Sequence, residues 1–129
     1  RAGGRRPGLA LRLLEDPEQL ARQEAWGSML LEALDADTPG RMRLAKRIGE
    51  LDNPGALVDH WLALHQQALR AEVGAAAEAT PVAVELAKRY APAQLRHHAT
   101  QLLAARKRLS YNPNVVLLME RTLLELGES

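Results

Sequence analysis

Residues 91–126 read APAQLRHHATQLLAARKRLSYNPNVVLLMERTLLEL. Ala91-Pro92 opens a helix, because proline's fixed φ suits the first turn and its missing N–H is not needed there. At 100° per residue, Leu95, Ala99, Leu102 and Leu109 return to one side of that helix, with Arg106 among them. The helix runs to about Leu109. The link Ser110 to Asn114 follows, in which Asn112-Pro113-Asn114 marks a turn and offers either asparagine as the N-cap of the next helix. A link this short makes the two helices antiparallel neighbours. The stretch is a helical hairpin, and it sets the reading of everything upstream.

The same punctuation recurs towards the N-terminus. Asp16-Pro17 starts a helix running to about Ala36, Thr38-Pro39 one to about Leu51, and Asn53-Pro54 a long one that stops at Gly74. Thr80-Pro81 opens a short helix to about Tyr90. Gly8 to Glu15 has the makings of a further short helix, and the Ala-rich stretch Ala75 to Ala79 reads as a weak helix former or a link. Six or seven helices and no strand are expected, forming a compact all-α bundle. Composition agrees: 47% of the 129 residues are apolar, with no Phe and only two Trp and two Tyr. Leu and Ala favour helices over strands.

On the long helix after Pro54, Leu57, Trp61, Leu64, Ala68 and Leu69 share one face, and His65 falls within the same arc. A histidine there reads as a core or boundary residue. His97 and His98 point in two directions, and His60 and His65 are five apart, so no metal site is expected. Cysteine is absent, which excludes a disulfide framework and thiolate metal sites. No nucleophile stands in a recognisable catalytic context, and no G-x-S-x-G occurs. The acidic residues mostly have basic neighbours at helical spacing, such as Glu85 with Lys88 and Arg89, the pattern of solvated helix faces. Neither a catalytic residue nor a cofactor is expected.

The formal net charge is +1, far from the broad basic field of a dedicated nucleic-acid binder. Arg106-Lys107-Arg108 point in three directions without an aromatic platform, so direct nucleic-acid contact is not expected. No apolar run is long enough for a membrane span and no signal-peptide pattern opens the chain, which suits a cytoplasmic protein. Arg1 in place of Met, in a Gly- and Arg-rich stretch, reads as the start of a piece of a longer protein.

The last helix is unusually apolar. Most of Val115, Val116, Leu117, Met119, Leu123, Leu124 and Leu126 occupy an arc of roughly 200°, about twice what a surface helix needs, with Leu118 outside it. Such a helix is expected to be buried on more than one side, in the centre of the bundle or between the bundle and another chain. Glu120 sits near the middle of that arc and requires a partner or water. Arg106 lies about one turn nearer the link, roughly 5 Å along the axis, so an Arg106–Glu120 pair orienting the hairpin is expected.

This hairpin resembles the end of the collar domain of bacterial clamp-loader subunits, the proteins that load the sliding clamp of DNA polymerase III. The resemblance lies in Leu109 to Asn114, then Leu117, Leu118, Met119-Glu120 and Leu123-Leu124. That family carries a helix, an Asn-x-Asn-Pro-like turn, and a helix reading roughly Leu-Ala-Leu-Glu-x-Leu-Leu. The chain departs from it at Val115, where the family usually has Pro, and at Met119. Arg6-Pro7-Gly8-Leu9-Ala10-Leu11 is similar to the segment that closes the AAA+ lid. Delta-prime subunits read approximately Ser-Pro-Gly-x-Ala-Leu there, whereas gamma and tau place a nucleotide-sensing Arg in the slot of Gly8. The two matches bracket the chain in order.

The resemblance implies a short remnant of the lid over residues 1–16 and a helical collar domain over residues 17–129. It implies a non-catalytic assembly role, with gamma/tau and delta subunits as ring partners and the chemistry residing elsewhere. Taking the wheel reading and the resemblance together, the residues expected at a subunit interface or orienting the hairpin are Arg106, Asn112, Asn114, Leu117, Leu118, Glu120, Arg121 and Leu124. Two alternatives stay open at this point. One is the collar of a gamma, tau or delta subunit. The other is a free-standing helical adaptor or DNA-binding regulator, whose best candidate element is the segment Arg41 to Arg47.

Overall fold

The computed structural model describes residues 17–72 and 80–127. Six helices follow in order: α1 (Pro17–Asp35), α2 (Thr38–Gly49), α3 (Pro54–Glu72), α4 (Pro81–Arg89), α5 (Pro92–Leu109) and α6 (Val115–Gly127). No strand occurs among the described residues, and the helices form the expected all-α bundle. The short helix expected over Gly8 to Glu15, the Asp16 cap, the lid-like segment and the Ala75 to Ala79 link lie outside the described residues.

The cap-then-proline signals work as side-chain chemistry. Thr80 Oγ1 accepts from the Ala83 N–H at 3.3 Å, and Asn53 Oδ1 from the Ala56 N–H at 3.1 Å. Ala91 has no capping side chain, so Gln94 reaches back to accept from the Ala91 N–H at 2.9 Å. At α2 the cap is Asp37, whose Oδ1 accepts from the Gly40 N–H at 2.9 Å. Thr38 is therefore the first helical residue rather than the cap, because the Asp37 carboxylate one residue upstream takes the orphan donor.

The hub of the bundle is α3, which packs against α1, α4 and α5. Leu57, Val58, Trp61, Leu64, His65 and Ala68 are all buried on it. Trp61 fills the centre, and its Nε1–H donates to the Trp26 carbonyl of α1 at 2.8 Å, so the largest core side chain leaves no polar atom unpaired.

The last helix, α6, lies against α2, α5 and, less extensively, α1. Where its backbone meets the end of α2, Gly49 makes the approach possible: a Cβ there would collide with the Val116 side chain. α6 is not the central helix. It buries Leu118, Met119, Thr122, Leu123 and Leu126, which fall on one side of the wheel. This inverts one expectation, since Leu118 is buried while Leu117 is 59% exposed. The face that α2 and α5 cover takes in only one edge of the apolar arc, with Met119, Leu123 and Leu126, and extends beyond it to Thr122 and Leu118, which leaves Leu117 at the far edge exposed.

Candidate interaction surface

The turn between α5 and α6 is built by its two asparagines in different roles. Asn112 Oδ1 accepts from the Asn114 N–H at 2.9 Å, folding the chain over Pro113. Asn114 Oδ1 accepts from the Leu117 N–H at 3.1 Å, making Asn114 the N-cap of α6. The choice left open by the sequence is thus resolved. With the start of α6 fixed, its unburied side is fixed too. Leu117, Glu120 and Leu124 come together there, with Arg121 and Glu125 beside them and Met42 of α2 completing a shallow groove. Arg121 Nε and Glu125 Oε2 are 3.5 Å apart along the helix.

The expected Arg106–Glu120 pair does not form. Arg106 Nε instead donates to Asp59 Oδ1 of α3 at 2.9 Å. The buried side of α5 is centred on Leu95, His98, Leu102 and Ala105, which turns Arg106 towards α3 and away from α6. Glu120 is half-buried at the rim of the groove and enters no ion pair among the described residues. Of the residues singled out in the sequence, Leu117, Glu120, Arg121 and Leu124 share one surface and Asn112 and Asn114 shape its edge. Leu118 lies inside and Arg106 on another side. Met42 belongs to the groove although nothing in the α6 sequence points to it.

Arg41 to Arg47 falls in α2, where Leu44, Ala45 and Ile48 are buried. Arg41 is committed to structure: its Nε donates to the Ala33 carbonyl at 3.0 Å and an Nη to that of Leu34 at 3.4 Å, and its guanidinium abuts Gly127 at the end of α6. Arg47 pairs with Glu32 at 2.9 Å. Only Arg43 and Lys46 of this segment's cations are left without such a partner among the described residues, which makes a poor recognition helix. Glu85, read from its spacing as paired, binds Arg89 at 2.8 Å, and Arg89 also reaches Asp35 at 2.7 Å.

The core holds one polar cluster. His65 Nδ1 lies 2.8 Å from the Trp61 carbonyl, which can only accept, so that nitrogen carries the proton. His65 Nε2 faces His98 Nδ1 at 3.4 Å, and the Tyr90 ring meets His98 edge-on at 4.9 Å. Burial above all, then repulsion from His65 and His97, pushes His98 down to about 4, against an opposing hydrogen bond to the Leu126 backbone. Burial likewise lowers His65, opposed by the Trp61 carbonyl. Both imidazoles are neutral at pH 7 and tie α3, α5 and the end of α6 together. No group of three or more possible metal ligands occurs among the described residues. Nor is any helix there long and apolar enough to cross a membrane. In comparisons with known proteins, no family model, curated protein or solved structure matches the chain.

Proposed function

We propose that this chain is a non-catalytic assembly module, the collar of a bacterial clamp-loader subunit of the delta-prime type. It would pack in a ring with gamma/tau and delta subunits to help load the sliding clamp onto primed DNA. The observation that carries the reading is the outer side of α6: Leu117, Leu124 and Met42 form an apolar groove around an unpaired carboxylate, Glu120. A terminal helix gains nothing in water from leucines on its outer face, whereas a helix that packs against a neighbouring chain needs them. The preference for delta-prime over gamma or tau rests on the sequence around Gly8, and the family itself on the Leu109 to Leu124 resemblance.

Binding to gamma and delta collars tests this. The chain is expected to co-purify with one or both, and Leu117→Glu with Leu124→Glu to abolish that binding while leaving the helical content intact. Unchanged binding by the double variant would show that the outer side of α6 is not the interface.

A further inference from the structure

The buried histidines of α3 and α5 have three polar gaps to fill and two protons to fill them with. His65 Nδ1 lies 2.8 Å from the Trp61 carbonyl and donates to it. His98 is hydrogen-bonded to the Leu126 backbone, and because that bond favours the protonated ring, its partner is the Leu126 carbonyl and the ring again donates. With His98 Nδ1 turned towards His65, the donating nitrogen is Nε2. A neutral imidazole carries one proton. His65 Nε2 and His98 Nδ1 therefore turn lone pairs on each other at 3.4 Å, with both side chains buried. The pair joins two helices, so spacings along one helix, such as His60 with His65 or His97 with His98, give no sign of it.

Two facing lone pairs call for an electron-pair acceptor between them. A proton serves poorly: the usual hydrogen-bond reach is about 2.7–3.2 Å, so a proton bound to one ring would hold the other only weakly. A metal ion fits the gap, since two metal–imidazole bonds of about 2 Å at an angle of about 115–120° span that distance. The outer sides of the rings are also set as ligands are. A metal-binding imidazole almost always donates its other N–H to a carbonyl or carboxylate, which fixes its tautomer and orientation. No third His, Cys, Asp or Glu joins the pair among the described residues. A buried, uncharged setting also opposes a divalent ion. Both limits select a monovalent ion that is satisfied by two imidazoles. We infer that His65 Nε2 and His98 Nδ1 form a site for a soft monovalent cation of the copper(I) type, which ties α3 to α5 and, through the Leu126 carbonyl, to the end of α6. The Tyr90 ring, 4.9 Å from that of His98, closes one side of it. The site is separate from the outer side of α6 and uses only this chain's residues.

Long-range nitrogen–proton NMR of the metal-free 129-residue chain at pH 7 tests the premise. His65 should carry its proton on Nδ1 and His98 on Nε2. Silver(I), a redox-inert stand-in for copper(I), then tests the site. One equivalent should shift the nitrogen signals of His65 Nε2 and His98 Nδ1 and raise the unfolding temperature, with His60 and His97 responding only to excess. Copper(I) itself is offered under anaerobic, reducing conditions in competition with a chromogenic chelator. His65→Gln and His98→Gln should each hold it at least about tenfold more weakly, while His97→Ala, at an exposed position, should match the parent. If either glutamine variant fails to fold by circular dichroism, the NMR of the parent chain still decides. A proton on either facing nitrogen, silver(I) taken up at His60, His97 or Met42 instead, or no uptake at all would each overturn the site. Co-purification with clamp-loader subunits affects none of these readouts, so the site and the assembly role stand or fall separately.

Discussion

His98 shows how a single buried residue couples this fold to pH. Its pKa in the folded chain, about 4, lies below the ordinary 6.5, so the unfolded chain binds a proton more readily. Stability from this site is therefore complete above pH 6.5 and is lost as the pH falls from there towards 4, by up to about 1.4 kcal/mol per pH unit. Urea unfolding as a function of pH should show that decline, and NMR titration should find the His98 imidazole neutral until about pH 4. Titration of His98 near 6.5 would contradict its placement. A second contrast concerns two arginines. Arg106 sits in an accessible ion pair, so Arg106→Ala should cost less than about 1 kcal/mol. Arg41 donates to two carbonyls at the end of α1, so Arg41→Ala should cost about 1–3 kcal/mol in the same unfolding measurement. The sequence singles out Arg106 and not Arg41, because a helical wheel shows what lies along one helix and not which neighbouring helix end awaits a donor.

Among the elements, α6 carries the most information. Asn114→Ala removes its N-cap and should cost about 1 kcal/mol, whereas Asn112→Ala mainly loosens the turn. Gly49→Ala is the sharper test of how α6 sits. In an open helix that change gains up to about 1 kcal/mol, but here the new methyl meets Val116, so thermal unfolding should show a loss instead. A gain would mean that α2 and α6 are not in close contact. The helix starts were legible because each depends on adjacent residues: Asn53-Pro54, Thr80-Pro81 and Ala91-Pro92 all open helices as read. The buried edge of α6 was not legible. Its arc of apolar residues is wider than any one contact, and only the positions of α2 and α5 decide that Leu118 turns inward and Leu117 outward. Arg106 turned towards Asp59 for the same reason, since its direction depends on how α5 is rotated against α3.

For the whole molecule, the bundle accounts for its core, centred on Trp61 of α3, without using the outer side of α6. A helical class follows from composition and punctuation alone, while packing order does not: nothing in the chain's pattern marks α3, rather than the more apolar α6, as the hub. Since the outer leucines do not hold the fold together, Leu117→Glu and Leu124→Glu should leave the unfolding temperature within a few degrees of the parent while removing any partner that uses them. The most direct test of the assembly role is co-purification of the chain with gamma and delta collars, under conditions where those two bind each other. The account predicts a stable complex with at least one of them, lost on substitution of Leu117 and Leu124. Failure to bind either would contradict it.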